Sequence, residues 1–92
     1  MTYELAQTRR FARDYKKLHD DVAADVDVAA RTVANSPSVG ERKKGDLADL
    51  FVYKLRSHNQ LYLLGYSVDE AIRLVYLEAV GPHENFCRDI KR

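Results

Sequence analysis

The spacing of apolar positions changes twice along the chain. In "TYELAQ", residues 2–7, Tyr3 and Leu5 fall on one side, which predicts a short opening or edge strand. From Thr8 the period lengthens. Phe11, Tyr15 and Leu18 recur at steps of four and three, placing them on one face of an α-helix whose start Thr8 is suited to cap. A second helix follows in "DVAADVDVAARTVAN", with Asp20 or Asp21 as its cap and a stripe of Val22, Val26, Ala29 or Ala30, and Val33. These side chains are small, so the two helices can pack closely as an antiparallel hairpin. Asn35-Ser36-Pro37 ends the second helix, because a residue before proline disfavours the α region. "SPSVGERKKGD", with Gly40 and Gly45, reads as a loop, and residues 36–49 are expected to be the most mobile segment.

Beyond the loop the period falls to two. In "LFVYKLRS" Phe51, Tyr53 and Leu55 face one way, and Val52, Lys54 and Arg56 the other. "HN" is expected as a turn, "QLYLLGY" as a central strand apolar on both faces, "SVDE" as the next turn and "AIRLVYLEAV" as a last strand. Gly81-Pro82 should break that strand, and "HENFCRDIKR" can form a terminal helical turn or two. The predicted order is β-α-α-β-β-β-α. This is an α+β fold: a two-helix hairpin on one face of a mostly antiparallel four-stranded sheet, in a single domain spanning residues 1–92. The face away from the helices is expected to be open, with Lys54 and Arg56 standing on it. A register shifted by one residue would bury both charges.

Composition narrows the function classes. An apolar fraction of 46% supports one modest core and 32% charged residues give a well-solvated surface, values that together argue for a globular protein and against disorder. The lone cysteine, Cys87, excludes an internal disulfide, and no Cys and His cluster has zinc spacing, so neither metal nor cofactor is expected. No apolar run reaches the roughly 18 residues needed to span a bilayer, and "MTYELAQTRRF" lacks the apolar core of a signal peptide. A cytoplasmic location without membrane contact is therefore expected.

The net charge of +1 does not by itself announce a nucleic-acid binder, but the charges are segregated. "RRFARDYKK" carries Arg9, Arg10, Arg13, Lys16 and Lys17 against Asp14 alone, while "DDVAADVD" carries Asp20, Asp21, Asp25 and Asp27 with no base. No phosphate-binding glycine loop, Ser-His-Asp signature or paired carboxylates are visible. What can be assembled is His83, Lys54, Arg56 and Arg73, with His58 and the aromatics Tyr53, Tyr62, Tyr66 and Phe86. Such an inventory suits metal-independent RNA cleavage, in which a ribose 2′-OH attacks the adjacent phosphate. A histidine serves as base or acid. Lys and Arg stabilise the charge developing on phosphate, and an aromatic stacks on a base. Lys43 and Lys44, on the loop, are further candidates for contact with the substrate.

The element order, the hairpin "KLRSHNQLYLLGY" and the ending "RLVYLEAVGPHENFCRDIKR" together resemble the RelE/ParE superfamily of bacterial toxins from type II toxin–antitoxin systems, over nearly the whole chain. That resemblance implies a small toxin neutralised by a cognate antitoxin in a hetero-oligomer. RelE-like and HigB-like members cleave mRNA on the ribosome; ParE-like members inhibit DNA gyrase and lack the nuclease site. Carried across, the nuclease pattern matches Lys54 and Arg56 to the basic pair beneath the scissile phosphate. Arg73 matches a phosphate clamp and His83 the acid–base histidine that YafQ-like members place after the last strand. Phe86, or position 87, would supply the terminal aromatic. The chain departs from the pattern at Cys87, where similar sequences carry tyrosine, and in its near-neutral charge. The alternatives that follow are a gyrase-blocking toxin without nuclease activity and a degenerate toxin that only binds antitoxin. For the antitoxin, an acidic, partly helical segment is expected to wrap the sheet and the cationic first helix.

Overall fold

The computed structural model describes residues 2–42 and 50–83. Strand β1 (Glu4–Gln7) leads into helices α1 (Arg9–Lys16) and α2 (Asp20–Asn35), a 3₁₀ turn at Pro37–Val39 and the two-residue strand β2 (Glu41–Arg42). The long strands β3 (Phe51–Ser57), β4 (Gln60–Asp69) and β5 (Leu74–Pro82) follow. They form one sheet in the order β1-β5-β4-β3-β2, with β1 parallel to β5 and every other pairing antiparallel. The α+β architecture with two helices on a sheet is as expected. The sheet has five strands rather than four, because Glu41 and Arg42 leave the loop to pair with Val52 and Phe51.

Local chemistry explains the helix boundaries. Thr8 Oγ accepts from Phe11 N at 3.1 Å and donates to the Glu78 carbonyl at 3.0 Å, so one hydroxyl caps α1 and ties it to β5. The second cap differs from expectation. His19 occupies the N-cap position of α2 with no side-chain cap, while Asp20 and Asp21 lie in the first turn, where their charge suits the positive end of the helix dipole. The hairpin closes where Tyr15 Oη donates to Asp27 Oδ1 at 2.8 Å. Phe11 and Tyr15 meet edge to face.

Two strand ends run past their predicted limits. β4 continues through Ser67 and Val68, which find partners in Tyr76 and Val75, and the turn falls at residues 70–73. Asp69 Oδ1 accepts from Ala71 N there, and Arg73 sits at φ 53°. β5 passes through Gly81-Pro82, which pair with Leu63 and Tyr62. Proline is tolerated because β1 ends opposite Leu77, leaving that edge of β5 without a strand among the described residues. Val80 N already turns to that edge and donates to Asp14 Oδ2 at 3.4 Å. Two residues on, the ring nitrogen of Pro82 faces the same way, so no ladder bond is lost. The terminal helix expected after Pro82 lies outside the described residues apart from His83.

The main core lies between helices and sheet. Val22, Val26, Ala29, Ala30 and Val33 of α2 and Phe11 of α1 meet Leu64, Tyr66, Val75, Leu77 and Val80, with Phe51, Tyr53 and Leu55 packed against them. The register is therefore the expected one, with the apolar side of β3 toward the helices. The opposite face is not wholly open. Leu50, Val52, Leu63 and Ala79 form a second small core there, each no more than 8% exposed.

Tyr66 is completely buried and stacks on Phe51 at 5.5 Å. Its hydroxyl donates to the Pro37 carbonyl at 2.5 Å and accepts from Gly40 N at 2.9 Å, which pins the segment after α2 onto β4. Burial raises its pKa above the usual tyrosine value, and carboxylate partners raise those of Tyr3 (Glu70) and Tyr15 (Asp27). All three hydroxyls hold their protons more tightly folded than unfolded. Stability from this source is therefore full below the ordinary tyrosine value of 10.0 and declines as pH rises through the folded values. Denaturant titrations in steps from pH 9 to 11.5 should show a falling midpoint, with the decline smaller in Tyr66→Phe.

Candidate nucleic-acid interface

The β3–β4 hairpin turns on His58 and Asn59, both at positive φ (53° and 63°), the conformation of a two-residue turn matched to strand twist. This tight turn fixes the ladder. Lys54 pairs with Leu63, which pairs in turn with Gly81, and Arg56 pairs with Leu61. Lys54 and Arg56 lie two residues apart on β3, hence on one side of it, turned away from the helix-facing Tyr53 and Leu55, and both are exposed. β5 ends at Pro82 opposite Tyr62, and His83 follows one residue past that last rung, toward the end of the sheet where Arg56 pairs with Leu61. It too is exposed rather than packed into the interior. One strand separates β3 from β5, so the backbones carrying cations and imidazole are about 10 Å apart, a gap that long side chains can narrow.

Other candidates fall elsewhere. Arg73 sits in the β4–β5 turn, at the opposite end of β5 from His83; eight strand steps make that roughly 27 Å. It cannot clamp a phosphate held by Lys54 and Arg56. His58 turns toward α2, with Nε2 3.6 Å from Asp21 Oδ2, so its ring serves the hairpin–helix junction. Ser57 reinforces that junction by donating to Asp25 Oδ2 at 2.6 Å. Tyr66 is buried in the main core and Tyr53 packs against that core on the helix side of β3, so neither stands on the face of Lys54 and Arg56. Lys43, Lys44, Phe86 and Cys87 lie outside the described residues.

One feature was not foreseen from the sequence. Arg10 and Asp14 of α1 and Lys17 at its C-cap form, with Leu18, Tyr62, Val80, Gly81 and Pro82, a groove of about 290 Å³ at the same end of the molecule as His83. The cations were conspicuous as a charge run, but the apolar wall required knowing that β5 continues to Pro82. Among the described residues no group of three or more His, Cys, Asp or Glu is placed to hold a metal ion. No described helix is long and apolar enough to cross a membrane.

A family model described as "ParE-like toxin of type II bacterial toxin-antitoxin system" matches residues 5–91. No curated protein sequence matches the chain. Among solved structures, the toxin–antitoxin complex RelBE2 from Mycobacterium tuberculosis contains a chain with 26% identity and a TM-score of 0.78, the match covering 90% of this chain and 100% of that one. A double arginine-to-alanine mutant of Escherichia coli toxin RelE in the free state is 27% identical with a TM-score of 0.76, covering 100% of this chain and 98% of that one. The same mutant in complex with an antitoxin RelB peptide gives 27% and 0.73 with the same coverage.

Proposed function

Because the chain belongs to the ParE-like toxin family of type II bacterial toxin–antitoxin systems, we propose that it is a metal-independent endoribonuclease that cleaves mRNA on the ribosome and is restrained by a cognate antitoxin. The observation that carries this reading is the exposed pair Lys54 and Arg56 on the sheet face away from the helices, with the exposed His83 one residue past the end of β5, two strands away. Likeness to RelE above 25% identity supports it. In this scheme the 2′-oxygen of the substrate ribose attacks the adjacent phosphorus. A P–O2′ bond forms, the P–O5′ bond breaks, and the products are a 2′,3′-cyclic phosphate and a 5′-hydroxyl. His83 takes the proton from the 2′-hydroxyl or supplies the one gained by the 5′-oxygen, and water exchanges the proton at the other oxygen. Lys54 and Arg56 neutralise the charge gathering on the non-bridging oxygens, where a fixed cation is worth more than in bulk water.

Primer extension on message bound to programmed ribosomes tests the reading. Discrete cuts that appear only when ribosomes are present are the expected result. Intact message at protein levels that arrest growth would reject it. In that event, inhibition of gyrase supercoiling by the purified chain would establish the second reading, a non-enzymatic toxin. The ParE-like family match and the net charge of +1 favour that alternative, since affinity for ribosomal RNA depends on cation–phosphate contacts.

The antitoxin partner follows from the family and from relatives solved as toxin–antitoxin complexes. The cationic face of α1 and the groove beside it suit an acidic segment that anchors apolar side chains against Leu18, Tyr62 and Pro82. Reversing Arg10, Arg13 and Lys17 to glutamate should weaken the complex at least tenfold at low salt, with a smaller effect at high salt. Isothermal titration at two ionic strengths measures this, and unchanged affinity would remove α1 from the interface.

A further inference from the structure

Gly81 lies within β5, paired with Leu63 in the cross-strand row that begins at Lys54. Glycine is a poor strand residue, since it forgoes side-chain packing and surrenders more backbone freedom than any other. Two internal circumstances commonly require one. The first is close approach within the chain, and Gly40 illustrates it: a Cβ there would lie 2.4 Å from Tyr66 Oη. The second is backbone in the left-handed region. Among the described residues Gly81 shows neither: its φ lies outside that region and an added Cβ would meet no atom of theirs within 4 Å.

The gap has a definite place. It opens on the side of the sheet where Lys54 stands, and it lies on the way from β3 to His83, two residues further along. We propose that this gap admits the ribose–phosphate backbone of the message as it crosses from the Lys54–Arg56 pair to His83. Gly81 is then a substrate-contacting residue that acts by having no side chain. The inference rests on the ribonuclease reading and deepens it. The N–H of Val80 points to the Asp14 edge, so that of Gly81 points toward β4 and is taken up by the sheet. Gly81 therefore offers the message shape and no hydrogen-bonding code. It accommodates sugar and phosphate whatever the base.

The test uses the full chain with Gly81→Ala and Gly81→Val, each assayed for cleavage of ribosome-bound message and for thermal midpoint. The valine variant should lose on the order of 10²-fold in cleavage, as misplacement of a substrate by about an ångström does. The alanine variant should fall between it and the parent, with the loss appearing in KM at least as strongly as in kcat. Thermal midpoints should hold or rise, since valine suits a strand better than glycine. A glycine of purely structural importance would instead lower the midpoint in step with activity. Should valine unfold the chain, alanine decides: reduced cleavage at an unchanged midpoint supports the inference, and parental cleavage overturns it. Parental cleavage by a folded Gly81→Val variant overturns it while leaving the ribonuclease reading intact. A parent chain that arrests growth without cutting RNA defeats both.

Discussion

Replacing His83 with alanine is expected, on the ribonuclease reading, to lower the rate of message cleavage by roughly 10²–10⁴-fold, the range for loss of a positioned acid or base. The protein should stay folded. His83 is exposed and belongs to neither core, so the change in stability should remain within about 0.5 kcal/mol. Single-turnover cleavage, with thermal denaturation of the same preparation, separates the two effects. Lys54→Ala and Arg56→Ala should each cost about 10²–10³-fold by withdrawing charge from the transition state. Groups acting on one phosphate work as a unit, so the triple variant should fall far short of the product of the three losses. If His83→Ala cleaves at the parental rate, the proton is handled elsewhere and the cations alone define the site.

The largest stability effect is expected at Tyr66. Tyr66→Ala removes a fully buried aromatic ring and should cost about 3–5 kcal/mol through transfer and cavity terms. It also strands the Pro37 carbonyl and Gly40 N–H, which both bond the hydroxyl. Set against the roughly 5–15 kcal/mol available to a small domain, this loss should leave much of the chain unfolded at 37 °C. Tyr66→Phe keeps the ring and the Phe51 stack, so its cost should be about 1–3 kcal/mol, the penalty of the unpaired groups. Urea unfolding of both variants measures the difference. Near-equal losses would mean that the hydroxyl, rather than the ring, carries the contribution.

The elements with a strong period were legible in the sequence. Phe11, Tyr15 and Leu18, and the small stripe from Val22 to Val33, lie where their spacing put them, and so do Phe51, Tyr53 and Leu55. Thr8 was recognisable as a cap because its hydroxyl acts three residues away. Features set by distant partners were not legible. Ser67 and Val68 have turn-like neighbours, yet they stay in a strand because Tyr76 and Val75 lie opposite them. The same extension carries the turn onward to Arg73 and separates that arginine from the cations it was expected to join. The second core was hidden for a related reason. Leu50, Val52, Leu63 and Ala79 come from three strands and the loop before them, and no local window contains that cluster. The pair Lys54 and Arg56 was readable because alternation on one strand determines the side a residue takes, whereas the position of His83 depended on where β5 ends.

The parallel pairing of β1 with β5 has a consequence for the life of the nascent protein. The Thr8 hydroxyl reaches the Glu78 carbonyl across 70 residues, and among the described residues β1 finds its one strand partner in β5. Contacts so far apart in sequence form late and slowly. During synthesis the helical hairpin can assemble early, but β1 cannot pair until β5 has emerged. Assembly therefore runs from the helices first to the β1–β5 edge last.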